Sequence, residues 1–154
     1  MKLFGKTLGD YLQLERGLLL ATIIVGLIRL GLTLAGVSNA IVWWFSMTAL
    51  TLIGIVVLPI SVQRKGFGSY NHVFVLLAIQ LAVSGVIIAA GIGIAAATGV
   101  SNIFQSDSPD ANPAMHAVEH LIGGPTITAF LFWLPASLVL FITKKLSRGS
   151  ASKA

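Results

Sequence analysis

Four stretches, 18–35, 41–62, 73–97 and 126–143, are almost free of charged side chains, and each is 18 residues or longer. A helix of ~20 apolar residues crosses the ~30 Å hydrocarbon core of a bilayer. No water is available there to hydrogen-bond an open backbone, so spans of this kind are helices rather than isolated strands. The pattern predicts an all-α integral membrane protein, a four-transmembrane-helix bundle within residues 17–145. The connections are short at 36–40 and 63–72 and long at 98–125. The length suits one bundle and no second soluble domain.

The flanking segments have their own patterns. In 2–16, "KLFGKTLGDYLQLER", helical spacing puts Phe4, Leu8, Tyr11 and Leu12 on one face, with Lys6, Asp10 and Gln13 elsewhere. That predicts an amphipathic segment, 1–16, lying on the membrane surface. After an outer loop, 98–112, Asn112-Pro113 reads as a helix start, with Asn as N-cap and Pro at the first helical position. Gly123-Gly124-Pro125 reads as a helix stop, because proline supplies no amide and clashes with the preceding turn. A short interfacial helix is therefore expected over 113–122, before the fourth span. The tail, 146–154, is small, polar and basic and is expected to be disordered.

Two short repeats add an expectation about ancestry. "GVSN" occurs at 36–39 and again at 99–102, and "LPIS" at 58–61 is echoed by "LPAS" at 134–137. Their placement suggests two tandem helical hairpins. In each "GVSN" the glycine can take the left-handed conformation that ends a helix. Pro59 and Pro135 are expected to kink or end their helices.

Composition agrees with a lipid environment: 56% of residues are hydrophobic and 10% charged, against about a quarter charged in a soluble domain. The net charge of +5 would suit nucleic acid, but its distribution argues against that partner. Lys2, Lys6 and Arg16 precede the first span, Arg64 and Lys65 separate the second from the third, and Lys144, Lys145, Arg148 and Lys153 follow the fourth. The connections 36–40 and 98–125 hold no lysine or arginine. By the positive-inside rule both termini are expected in the cytoplasm, which fits a bacterial cytoplasmic (inner) membrane. Trp43, Trp44 and Tyr70 fall at the expected interfaces, as aromatic belts do. "VSNA" at 37–40 has the small residues of a signal-peptidase site, but the apolar stretch before it is too long for a signal core and holds Arg29, so a retained helix is expected. The absence of cysteine removes disulfides and thiolate chemistry together.

Within the spans Arg29 stands out. An arginine at mid-span costs about 2.5–3.5 kcal/mol to insert, and Thr22, Gly26, Arg29, Thr33 and Gly36 form a small and polar seam at helical spacing. Gly85, Ala89, Gly93 and Ala97 form a matching stripe on the third span, where small residues would allow close approach. Ser84 and Gln80 lie near the depth of Arg29. The expected partners of the guanidinium are Ser84, Gln80 or helix carbonyls on one reading, and an anion on the other. Glu119, reached by a snorkelling side chain, is the specific anionic partner expected.

"MHAVEHLIGGP", 115–125, contains H-x-x-E-H. A zinc peptidase would also need a further acidic ligand downstream, and no Asp or Glu follows Glu119. A non-catalytic divalent metal site is less demanding, with His116, His120, Asp107 and Asp110 as ligands. Haem is another candidate cofactor: either histidine could be an axial ligand with Arg29 at a propionate. Two histidines four apart on one helix cannot ligate opposite faces of one haem. No nucleophile lies near a histidine, and no glycine loop is placed to cradle phosphate, so catalysis is not expected.

Three functions follow. The leading expectation is a non-catalytic accessory or structural component that binds lipids, a partner membrane protein or further copies of itself. One alternative is a haem- or metal-binding protein using His116 and His120 at the outer face. The other is a small transporter with Arg29 lining an anion path.

Overall fold

The structure, a computed structural model, describes residues 2–106, 108 and 110–151. It opens with a hairpin instead of a surface helix. β1 (Lys2–Leu3) pairs antiparallel with β2 (Lys6–Thr7), Lys2 opposite Thr7 and Leu3 opposite Lys6. The two-residue turn holds Phe4 at φ 51° and Gly5 at φ 86°, the pair of positive φ values that matches the twist of a tight hairpin. Helix α1 (Leu8–Leu34) follows at once. Thr7 Oγ1 accepts from the Asp10 amide at 3.2 Å, and Asp10 Oδ2 accepts from the Thr7 amide at 2.7 Å. This reciprocal cap starts the helix at Leu8, and nothing breaks it before the apolar run. The expected amphipathic face is therefore divided: Tyr11 is fully buried in the bundle, while Phe4, Leu8 and Leu12 are exposed.

The helix ends follow their glycines. Gly36, at φ 76°, lets the Val37 amide reach back to the Leu32 carbonyl at 3.0 Å, which closes α1 with the bond expected of a left-handed stop. After a short turn of helix, α2 (Asn39–Val42), α3 (Met47–Arg64) starts on Ser46, whose hydroxyl accepts from the Ala49 amide. Pro59 lies inside α3. Gly66, φ 57°, repeats the closure with Phe67 donating to Val62 O. Helix α4 (Tyr70–Thr98) ends on Gly99 at φ 72°. Both "GVSN" glycines thus adopt the predicted conformation.

The largest departure lies before the fourth span. Asn112 does cap α5 (Pro113–Val118), accepting from the Ala114 and Met115 amides at 2.9 and 3.3 Å. Gly123-Gly124-Pro125 does not end the helix. Residues 119–128 form a π-helical segment that runs into α6 (Ala129–Ala151) without interruption. The wider turn moves the bonds to donors one residue further on, as in Ala129 N–H to Gly124 O, so the ladder steps past the amide that Pro125 lacks. Thr126 Oγ1 also donates to Ile122 O at 2.5 Å. The separate interfacial helix over 113–122 is replaced by the first turns of a 35-residue apolar helix, Pro113–Ser147. At the other end α6 runs through residues assigned above to the tail, and Pro135 lies inside it.

Four helices are thus long and apolar enough to cross a membrane: Leu8–Leu34, Asn39–Arg64, Tyr70–Thr98 and Pro113–Ser147. They pack as a bundle with α4 touching every other span. At one end of the bundle Lys144 sits 4.7 Å over the Tyr70 ring and Lys6 sits 5.0 Å over Phe67. The core there joins Tyr11, Leu58, Val62, Leu76, Leu77 and Leu140; a second cluster at the far end joins Leu30, Met47, Ile87, Ile92 and Phe104. Between them lie the buried polar side chains Thr22, Thr51, Gln80 and Ser84.

The small-residue seams are used differently from the expectation. On α1 the buried stripe is Tyr11, Glu15, Leu19, Thr22, Gly26 and Leu30. Gly26 admits Met47 Sδ and the Ile87 side chain, which lie 2.7 and 3.0 Å from where its Cβ would be. On α4 Gly85 and Gly91 are buried, but Gly93 and Ala97 are exposed. Gly85 faces the π segment and Gly91 faces Phe104, so no continuous stripe of α4 meets the α1 seam.

Candidate functional site

Arg29 is only partly covered, and its guanidinium does not meet the partners expected of it. Among the described residues its buried Nε has no hydrogen-bond partner, and no carboxylate pairs with it. Ser84 donates instead to Gln80 O on its own helix at 3.1 Å. Glu119 is 67% exposed and touches His116 Nδ1 at 3.5 Å, so the expected Arg29–Glu119 pair is not formed. The reason is rotational: with 113–128 one continuous helix, Glu119 turns away from the bundle while His116 and His120 turn toward it. The contact that Arg29 does make is with Phe104, whose ring centroid lies 5.7 Å from Cζ. An aromatic face attracts a cation, by about 0.5–2 kcal/mol, but accepts no directed hydrogen bond of the kind a guanidinium makes with an oxyanion.

The guanidinium lines a cavity of about 380 Å³. Thr48 and Thr51 of α3, Ser84 of α4, Gln105 of the loop and both His116 and His120 line it with Arg29. Met47, Leu81, Ile88, Ile103, Phe104 and Phe132 supply apolar wall. Among the described residues no Asp or Glu lines it. The cavity is within the size range of small-molecule sites. Its polar groups are one fixed cation and several neutral polar side chains, and its wall is otherwise apolar.

The π segment sets the histidines. His116 and His120 are an i,i+4 pair whose rings meet edge to face with centroids 4.8 Å apart. Met115, Val118, Leu121 and Ile122 occupy the opposite, exposed side. The histidine side therefore faces the bundle and the apolar side faces outward, the reverse of a surface helix with histidines toward water. Gly85 makes this possible, since its missing Cβ leaves room for the His120 carbonyl.

Of the metal ligands expected, His116 and His120 come together. Asp110 does not join them, and Asp107 lies outside the described residues; among the described residues no group of three or more His, Asp or Glu side chains is placed to hold a metal. Arg29, which the haem reading puts at a propionate, does share the cavity of the two imidazoles.

Phe104 and Gln105 were missed in the sequence because they lie in a loop read as polar. That loop folds inward on Asn102, 7% exposed, which donates to Gly91 O at 2.7 Å and accepts from the Phe104 amide at 3.0 Å. The Asn102 amide in turn donates to Gln105 Oε1 at 3.0 Å. Glu15 was missed because it precedes the first charge-free run, yet it is 1% exposed. Its place in the four-residue spacing from Tyr11 to Leu19 was the available signal.

Comparison of the chain with protein-family models, curated proteins and solved structures finds no match.

Proposed function

We propose that this small four-span membrane protein is a non-catalytic accessory component that binds an acidic amphiphile, a carboxylate or phosphate head on an apolar body. The observation that carries the reading is the Arg29 guanidinium, which lines a cavity with no acidic residue among the described ones, its Nε unpartnered. Guanidinium matches carboxylate and phosphate geometry, and a charge-assisted bond supplies both affinity and orientation. Ser84, Thr48, Thr51 and Gln105 add neutral polar groups around the head. Leu81, Ile88 and Phe132 supply an apolar wall for a chain. Binding of this kind needs neither a nucleophile nor a general base.

The test uses protein in nanodiscs of neutral phosphatidylcholine, with bound ligand counted by native mass spectrometry. Oleate is expected to be retained at one per chain, and oleyl alcohol, the same chain without the charge, is not. Inorganic phosphate that displaces oleate would place the affinity in the head group; failure to displace it would place the affinity in head and chain together. Arg29→Gln should weaken oleate retention by about tenfold to a hundredfold, the worth of a bond to a charged group. Equal retention of oleyl alcohol, or unchanged oleate binding by the variant, refutes the proposal. A Soret band or stoichiometric metal in gently purified protein would instead favour the haem or metal reading of the same two histidines.

A further inference from the structure

Glu15 and Gln80 have no role in the outer cavity. Glu15 is 1% exposed and Gln80 0%. Both carboxyl oxygens of Glu15, and both the oxygen and the nitrogen of the Gln80 amide, are buried without a hydrogen-bond partner among the described residues. Tyr11 beside His72, Gly26 beside Ile87 and Leu30 beside Gly91 set the register of α1 against α4, which puts Gln80 about one turn beyond Glu15. Gln80 Oε1 lies in the space beside Gly54 that a Cβ would fill, and Leu18 lies against the same space; Glu15 is one turn from Leu18 on the buried stripe of α1. The hydroxyls of Thr22, Thr51 and Ser84 are satisfied within their own helices, by Leu18 O, Met47 O and Gln80 O, while that of Ser137 on α6 is buried without a partner among the described residues. The two carboxyl oxygens of Glu15 are thus left unsatisfied within the apolar cluster that holds Tyr11, Leu14 and Leu18. Native interiors rarely leave buried polar groups unpaired, and an ionisable residue inside a membrane span generally marks an ion or proton path.

The surroundings select the ligand. No fixed cation faces Glu15. On α1 the nearest titratable neighbour along the stripe is Tyr11, whose hydroxyl is already spent on Leu3 O at 2.9 Å. α3 holds no titratable residue before Arg64 at its end. α4 contributes His72, stacked on Tyr11 with ring centroids 6.0 Å apart. The N-terminal hairpin brings Lys2 and Lys6, and Lys6 is engaged over Phe67. α6 carries no titratable residue until Lys144. Arg29 is 14 residues further along α1, about 21 Å at helical rise. A metal cation would want several oxygens at close range, as hard cations do. Here there is one carboxyl without a hydrogen-bond partner among the described residues, enough to hold a proton. The hairpin, with Tyr11, Phe67 and His72 beneath it, lies one turn from Glu15 at the near end of α1.

We propose that Glu15 is a proton-binding site in the interior of the bundle, separate from the Arg29 cavity and able to load and release its proton. A proton adds to one carboxyl oxygen of Glu15, and the same O–H bond breaks on release. The site stands on different residues from the acidic-ligand cavity, so it survives failure of that reading.

Dicyclohexylcarbodiimide tests this, because it partitions into bilayers and adds to a carboxylic acid only in its protonated form. The acid's proton moves to a carbodiimide nitrogen as the carboxyl oxygen bonds to carbon, and rearrangement leaves a stable acylurea that peptide mass analysis locates. In nanodisc-embedded protein the expected result is one adduct, on Glu15, absent from Glu15→Gln. Its rate should fall about tenfold per pH unit beyond the midpoint. Infrared difference spectra between mildly acidic and alkaline buffer give a second readout that needs no reagent access. They should show a protonated-carboxyl band that Glu15→Gln removes. Labelling that is independent of pH would mean the proton never leaves and would overturn the proposal. Protection by sodium ions would assign the site to a metal cation and overturn it as well, as would the absence of both the adduct and the infrared band.

Discussion

The carbonyl oxygen of His120 occupies the space that a side chain at Gly85 would need. This contact joins the π segment to α4 and so decides which way His116 and His120 point. Backbone cannot swing aside as a side chain can. Gly85→Ala is therefore expected to lose about 1–3 kcal/mol of stability, the usual penalty of overpacking, and to reduce oleate retention with it. Gly26→Ala is the comparison. Its new methyl meets Met47 Sδ and the Ile87 side chain, side chains rather than backbone, and should lose less. Denaturant unfolding of the two variants in one detergent checks the order; equal losses would remove the special standing given to the His120 carbonyl.

Pro125 maintains the wide turn by withholding an amide. Pro125→Ala restores a donor for the Leu121 carbonyl, and the segment can then close into ordinary α-helix. Dropping the extra residue per turn rotates everything before it by roughly 100°. The expected outcome is a helix at least as stable as the parent, with oleate retention reduced because the histidines leave the cavity. Hydrogen exchange at residue 125 should be slow in this variant. Fast exchange with unchanged retention would show that other residues sustain the π geometry.

His72 ties the hairpin to the bundle. Its Nδ1 accepts from the Ser69 amide at 3.0 Å, and its Nε2 lies 3.2 Å from Phe4 O. With Nδ1 accepting, the proton sits on Nε2 and donates to Phe4. His72→Ala removes the α4 cap and the Phe4 anchor together and should cost about 1–3 kcal/mol. Tyr11→Phe, which removes only the bond to Leu3 O, should cost about 1 kcal/mol. Amide exchange over Lys2–Leu3 and Lys6–Thr7 is expected to accelerate in both, more in His72→Ala. An unaltered hairpin in His72→Ala would mean that the strand pairing holds itself.

Asn102 folds the long loop inward. Its side chain donates to Gly91 O and accepts from Phe104 N–H, so Asn102→Ala should lose about 1–3 kcal/mol. It should also release Phe104 from Arg29 and from Gly91. Limited proteolysis between 103 and 112 is expected to speed up several-fold. Asn102→Asp keeps the acceptor and loses the donor, and should fall between the parent and Asn102→Ala.

Much of this architecture was legible along the chain because membranes impose simple rules. Hydrocarbon thickness and the need to pair every amide dictate long apolar helices, so the four spans follow from hydropathy alone. Gly36 and Gly99 could be read as left-handed stops, and Asn112-Pro113 as a start, because caps depend on residues within one turn of each other. Arg29, His116 and His120 could be singled out because polar groups are rare here and expensive to bury.

Rotation and long-range company could not be read in this way. Whether Gly123-Gly124-Pro125 breaks a helix or widens it depends on α4, where Gly85 admits the His120 carbonyl, 35 positions away in sequence. That choice turned Glu119 outward, away from Arg29, and the two histidines inward. Glu15 sits in a stretch that reads as a surface segment, and only the packing of α3 and α4 around α1 made it interior. Local pattern determines that a helix forms and which of its residues are apolar; the angle at which it meets its neighbours is a property of all four helices at once, and the cavity exists only there.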